Sequence, residues 1–333
     1  MNKLKFGFQK HLNKTFPSQV TVDLTQFCNL ACIHCPHPEF KKSNAYSEAH
    51  LDLNLHKKLI DEVASDGYGI CQYIRYTANG EPLLHPKFDE MIKYAGIHSK
   101  TKINVTTNGV LLTERRSKLM LDAGVNVFDI SLDAYYEETY EKIRPASNRN
   151  IKGNFIKIRQ NILNLIDLIK NEKYNSKIVV SFVEQPLNTN ETKLFENYWN
   201  EAGVSFVVIR RLHSAAGAKD DVKKMMEIDL KGVVRKPCLY PWERLVLTPE
   251  GDLSFCPAAW TGESHFAKFK DATISEAWQG DFMNSLRKAH LDNNYDCFGF
   301  CEQCPDWVYT KWPEEYGVNY SDMMSKIVPI DLL

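Results

Sequence analysis

The 333-residue sequence predicts an α/β protein in which a parallel sheet curves into a barrel-like arrangement and a small cysteine-held module follows it. Three observations predict this. Short β-branched or aromatic runs alternate with longer amphipathic ones between residues 20 and 210. Past residue 230 that rhythm is lost and turn signals (KPC, TPEGD, CPAAW, FGFC) take over. The nine cysteines fall into a group near each end, with Cys71 alone between them.

The strand-like runs are VTVDLTQF (20–27), YIRYTA (73–78), KINVTT (102–107), NVFDISL (126–132), KIVVSFVE (177–184) and VSFVVIR (204–210). Helix-like stretches fall between them near 53–66, 86–97, 113–122, 136–143, 153–171 and 191–201. Strands joined through helices pair in parallel, because a parallel neighbour needs a crossover. Ligands then belong at the C-terminal ends of the strands. Cys28 follows the first run and so sits at that end. AAGAKDDVKK, 215–224, is the best linker candidate. The expected division is an N-terminal extension (1–17), a barrel (18–214), a linker (215–234) and a cysteine-rich module with its tail (235–333).

Composition narrows the functions. With 44% apolar and 25% charged residues the chain reads as a soluble globular protein, and a formal charge of −1 gives no field to recruit nucleic acid or an anionic membrane. The N-terminus, MNKLKFGFQKHLNKTF, is basic but never reaches an apolar core, so neither a signal peptide nor a membrane span is expected and a cytoplasmic location is. Cytosolic thiols stay reduced, so the cysteines read as metal ligands rather than disulfides.

CNLACIHC places Cys28, Cys32 and Cys35 in one loop with C-x3-C-x2-C spacing. Zinc sites pair C-x2-C knuckles, whereas three thiolates suit a four-iron cluster with one open iron. His34 could complete a zinc site only from between two ligands.

At this point the chain resembles the radical S-adenosylmethionine (SAM) superfamily, whose three-cysteine loop follows the first strand of a partial (β/α)6 TIM-like barrel. TANGEPLLHP, 77–86, resembles the family's glycine-glycine-glutamate motif with Asn79 in place of the first glycine. TTNG (106–109) and SLDA (131–134) end the next two runs, as in the family. The resemblance implies a SAM-binding [4Fe-4S] cluster on the three cysteines and His34 beside the adenine. It implies Glu81 with the backbone around Asn79 and Gly80 on the methionine ammonium. Asn108 and Ser131 would serve the ribose and methionine carboxylate, and Arg144 the carboxylate. A flavodoxin- or ferredoxin-type protein would be the electron donor.

The second group, Cys238-x12-Gly251-x4-Cys256 with Cys301-x2-Cys304, resembles the auxiliary-cluster module called twitch, a short relative of the SPASM domain. It implies one auxiliary [4Fe-4S] cluster, and structural zinc stays open because four cysteines satisfy either. Cys297 is surplus.

An auxiliary cluster offers a place to send a substrate radical's electron, which favours two-electron oxidation of a carbohydrate or aminocyclitol-like small molecule with a base taking the hydroxyl proton. Glu184 and Arg210 end the last two runs, where the alternation would face both into the barrel mouth, and are the candidate catalytic residues. A peptide maturase, a redox-neutral epimerase or dehydratase, and a non-enzymatic iron–sulfur electron carrier are the alternatives. Cys71 reads as a core residue, and Trp242, Trp260 and Trp307 as packing for the small module.

Overall fold

Nine strands organise the computed structural model, which describes residues 6–8, 12–148, 154–226 and 233–312. They are β1 (Gln19–Val22), β2 (Tyr73–Tyr76), β3 (Lys102–Thr107), β4 (Val127–Ser131), β5 (Lys177–Glu184), β6 (Phe206–Arg211), β7 (Arg244–Leu247), β8 (Asp252–Ser254) and β9 (His265–Lys268). All belong to one sheet of order β6-β5-β4-β3-β2-β1-β7-β8-β9. From β1 to β6 each strand pairs in parallel with the next, with Val20 opposite Ile74 and Val105 opposite Phe128. The fold is the partial barrel expected from the alternating runs.

The crossovers are helices with local reasons to start. Asp52 caps Leu53–Ala64 by accepting the Asn54 and Leu55 N–H groups, and Thr113 caps Glu114–Asp122 through Arg116 N–H. Leu59, Ile60 and Val63 then bury one helix face in the main core. On β5, Ile178, Val180 and Phe182 share the helix-facing parity, and the Phe182 ring packs on Phe195 at 4.8 Å. Val179, of the other parity, joins Tyr73 and Val127 in a small second core inside the barrel. Two residues further along the strands this apolar layer gives way to Arg75, Asp129, Ser181 and Arg210.

Two features differ from the sequence reading. The first run was read as strand to residue 27, yet only Gln19–Val22 lies in the sheet, and the chain then turns into the cysteine loop with Gln26 N–H donated to Ala49 O. The module also begins inside the barrel's sheet, since β7 pairs in parallel with β1, Val20 opposite Leu245. A four-residue strand with no crossover pattern before it is too short to read as a βα unit. β8 and β9 add antiparallel pairs, β8 joining β7 through a turn at Gly251, which has φ +81° and where a Cβ would lie 2.7 Å from the Leu55 side chain. The expected linker contains the helix Asp220–Met225, and its residues 227–232 lie outside the described residues. No described helix is long and apolar enough to cross a membrane.

Candidate active site

The loop after β1 is held by main-chain bonds from outside it. Ala31 and Ile33 donate N–H bonds to Pro145 O (2.8 Å) and Ile143 O (3.0 Å). Burial pushes the thiols of Cys28, Cys32 and Cys35 up, Cys35 to about 12, and charge on one sulfur disfavours charge on its neighbours. Two groups act the other way: Arg144 Nη1 donates to Cys32 Sγ (3.7 Å) and His37 N–H to Cys35 Sγ (3.5 Å).

Arg144 was expected on the SAM carboxylate, but it is already paired. Its Nε and Nη2 reach Asp133 Oδ2 at 2.6 and 2.5 Å, and Val183 N–H donates to the other Asp133 oxygen at 2.6 Å. Asp133 therefore aims the guanidinium at the cysteine loop. The reason is local: the two residues are buried together, and an unpaired charge there would be costly. Asp133→Ala is expected to destabilise the protein by about 3–5 kcal/mol, read from the denaturant midpoint, because Arg144 would stay buried without a counter-charge. His34 lies beside the same carboxylate, Nε2 to Oδ2 3.6 Å, and burial lowers its pKa to about 4, which keeps the ring neutral near pH 7.

The TANGE turn presses on the same loop. A Cβ at Gly80 would lie 1.9 Å from Thr25 O and 2.8 Å from Phe27 O, so only glycine lets the two segments meet. The unusual backbone falls on Ala78, φ +142°, and not on Asn79, whose N–H donates to Asp23 at 3.2 Å. Glu81 is buried and held by Thr107 Oγ1 (2.6 Å), Asn108 N–H (2.8 Å) and Leu83 N–H (3.2 Å). Asn108 donates its amide to Asn29 Oδ1 (2.7 Å), inside the cysteine loop, and Ser131 ends β4 on the lumen parity. Glu81 and Asn108 thus brace the motifs against one another. Gly80→Ala should displace the loop and abolish iron binding at the first three cysteines while the other four keep theirs, measured as iron per chain.

Arg210 projects into the barrel, donating to Asp129 Oδ2 (2.8 Å) and Ser181 Oγ (3.0 Å). Burial opposes ionisation of Asp129, but Arg210 and Arg75 outweigh it and hold the carboxyl below its usual range. Glu184 does not face the lumen as expected. It shares the parity of Phe182 and accepts Thr192 Oγ1 at 2.7 Å at the start of helix Thr192–Ala202. The run's alternation was sound, but the phase was misassigned at its last residue.

In the module, the thiols of Cys238, Cys256, Cys301 and Cys304 are raised by burial, and charge on Cys238 raises those of Cys256, Cys301 and Cys304 further. Arg235 sits against this group, donating to Cys301 O and Glu302 O and stacking over the Tyr295 ring at 4.2 Å. Cys297 is exposed and outside it. Cys297→Ala should therefore leave iron content at the wild-type level. Cys71 is buried in the core. Trp242 and Trp307 are buried as well, whereas Trp260 lines a cavity.

That cavity, of about 210 Å³, opens between barrel and module residues and has Cys256 of the second cysteine group in its lining. The barrel contributes Asp23, Gln26 and Asn79; the module contributes Asp252, Cys256, Trp260 and His265. Asp23 lies at the end of β1, and its burial raises the carboxyl to about 8; Asn79 N–H opposes the shift and Glu250 adds to it. Asp252 pairs with Lys268 (2.6 Å) and His265 (3.3 Å). The Asn79 Oδ1 and Trp260 Nε1 atoms are buried with no partner among the described residues. Sequence reasoning missed Asp23, Asp133 and Asp252. A carboxylate at the lumen parity of an apolar run, V-T-V-D, was the available signal for Asp23.

Residues 22–183 match the radical SAM superfamily, and residues 238–305 match an iron–sulfur cluster-binding domain, SPASM. The chain contains a radical SAM domain followed by a SPASM domain. Among curated relatives, it is 32% identical to the AdoMet-dependent heme synthase of Methanosarcina barkeri (strain Fusaro / DSM 804), over 38% of this chain and 34% of that one. It is 35% identical to the GTP 3',8-cyclase of Chlorobaculum tepidum, over 37% and 35%. The match thus spans about a third of the length of these relatives. Similar solved folds are BtrN in complex with AdoMet and 2-DOIA (TM-score 0.59, 18% identity, 90% of this chain and 96% of that one) and Streptococcus suis SuiB bound to precursor peptide SuiA (0.63, 10%, 82% and 67%).

The radical SAM and SPASM domains imply SAM, a SAM-binding [4Fe-4S] cluster and an auxiliary [4Fe-4S] cluster. Among the described residues no three His, Cys, Asp or Glu side chains converge on a single-ion site, so the donor chemistry carries the test. The residues fit. Three thiols in one loop, Cys32 buried and Cys28 and Cys35 half-buried, faced by a guanidinium and a main-chain N–H, suit a cluster that makes each thiol a bound thiolate. Four thiols in the module suit a second, fully ligated one.

Proposed function

We propose that this radical SAM enzyme oxidises a polar, hydroxyl-bearing small molecule, of the carbohydrate or aminocyclitol class, by two electrons. The cavity between barrel and module carries the reading, because one wall bears Asp23 and Asn79 and the other bears Cys256, Asp252 and His265. Cys28, Cys32 and Cys35 would hold the first cluster, and Cys238, Cys256, Cys301 and Cys304 the second. When bound, the first cluster and SAM supply a 5'-deoxyadenosyl radical that takes a hydrogen atom from carbon, and the auxiliary cluster accepts an electron.

The chain's own residues do the rest. Asp23, ionised, accepts the hydroxyl proton of the carbinol carbon, so one C–H hydrogen and one O–H proton leave and a carbonyl forms. A carboxyl that titrates near 8 is matched to that task near neutral pH. The unpartnered Asn79 Oδ1 and Trp260 Nε1 offer an acceptor and a donor to hydroxyl or amino groups. Arg210, locked to Asp129 and Ser181, keeps the lumen below polar and rigid. Arg144 and Asn108 brace the first loop rather than touching substrate.

The test is turnover under anaerobic, reducing conditions with aminocyclitols, amino sugars and short peptides offered separately. Deoxyadenosine with a matching ketone from an amino sugar or cyclitol is expected. Product from peptides alone would replace this reading with a maturase.

A further inference from the structure

The loop after β6 contains a backbone conformation that side chains rarely adopt. Ala215 and Ala216 have φ +52° and +58°, followed by Gly217 at +96°. Two consecutive left-handed alanines cost free energy that neighbouring contacts must offset. Here the offset comes from one carboxylate. Asp306 Oδ1 accepts the Ser214 N–H (3.1 Å) and Oγ–H (3.0 Å), and its Oδ2 accepts Ala216 N–H (2.6 Å). Ser214 Oγ in turn accepts Gly217 N–H at 2.8 Å, and Ser214 O accepts Lys219 N–H at 3.1 Å. Successive N–H groups in such a turn form a concave anion site, and Asp306 fills it.

The two ends of this arrangement lie at different cysteine groups. Asp306 follows Cys304 by two residues, and its own main-chain N–H bonds to the Cys304 thiol. At the other end Lys219, itself buried, places Nζ 2.6 Å from Glu39 Oε1, on the short helix His37–Phe40 directly after Cys35. Its charge is felt at Cys35 and at His34. The segment 214–219 therefore straps the module to the first loop.

We propose that Asp306 is a positioning residue that holds the 214–219 strap and, through it, keeps the Lys219 ammonium at the SAM-cluster loop. The proposal rests on the cluster assignment above but not on any substrate. A fixed cation beside the first cluster favours its reduced, more negative state. The strap thus lets the folding of the auxiliary module tune the first cluster.

The test uses reconstituted protein and three readouts: iron per chain, the midpoint potential of the first cluster, and the rate of cutting by elastase, which accepts small residues such as those at 215–218. Asp306→Ala keeps the main-chain N–H at Cys304, so iron content is expected near wild type. Its strap should open, with elastase cutting about tenfold faster or more, and the first-cluster potential should shift to more negative values. Lys219→Met leaves Asp306 and the turn in place. It should reproduce the negative shift while the strap stays protected. If Asp306→Ala loses iron, Ser214→Ala, remote from Cys304, takes its place with the same expectations. Unmoved cutting in the strap variant, or an unmoved potential in Lys219→Met, overturns the proposal. Failure of wild-type protein to bind iron at the first loop would instead overturn the cluster assignment.

Discussion

Replacing Cys28, Cys32 and Cys35 together with Ala is expected to remove about four irons per chain, half the full complement, and all cleavage of SAM. The three thiols share one loop whose main chain is fixed by Pro145, Ile143 and the Gly80 turn, so the loop should survive the loss of its sulfurs. The core beneath it is apolar and contributes most of the stability. The auxiliary thiols belong to the separate module, with Cys256 close to Cys238, Cys301 and Cys304, and should keep their own iron. Iron analysis and deoxyadenosine assay on the same sample check both halves. Cleavage that persists in the triple variant would contradict the assignment of the first site.

The second large effect belongs to Asp23. In Asp23→Asn, deoxyadenosine formation should continue while the oxidised product falls by about 10²- to 10⁴-fold, the usual contribution of a positioned base. Wild-type oxidation should rise as pH increases through about 8, where Asp23 ionises, and the variant should lose that rise. Glu at the same position should restore part of it. Stability supplies a check that needs no substrate. Asp23 has a folded pKa raised above its unfolded value of about 4, so its contribution is present below pH 4 and is lost as pH rises toward 8. The thermal midpoint of Asp23→Asn should therefore gain on wild type across that range. Midpoints that run parallel with pH would mean that Asp23 is ionised throughout and is no tuned base.

The barrel was legible because its crossovers repeat: helix boundaries at Leu53–Ala64, Glu114–Asp122 and Asn154–Glu172 fall within two residues of those read from apolar spacing. Cap residues such as Asp52 and Thr113 fix those ends locally, and local physics is what a sequence displays. β7 was hidden for the opposite reason. Its pairing with β1 joins residues 20 and 245, and nothing local in RLVL announces it. The site divides in the same way. Motif residues at strand ends could be named, but Asp133 pairing with Arg144, Glu184 turning toward Thr192, and Asp306 reaching Ser214 are tertiary events. Asp23 was in plain view at the end of the first run, and only the cavity gives its carboxyl a task.

The ratio of oxidised product to deoxyadenosine in Cys304→Ala, with the first cluster intact by spectroscopy and a turned-over amino sugar or cyclitol as substrate, asks whether the auxiliary site takes part in oxidation. Wild-type protein should give a ratio near one, and the variant should form deoxyadenosine with little or no product. A ratio that stays near one in the variant would show that the second site is structural and that the substrate's second electron leaves by another route.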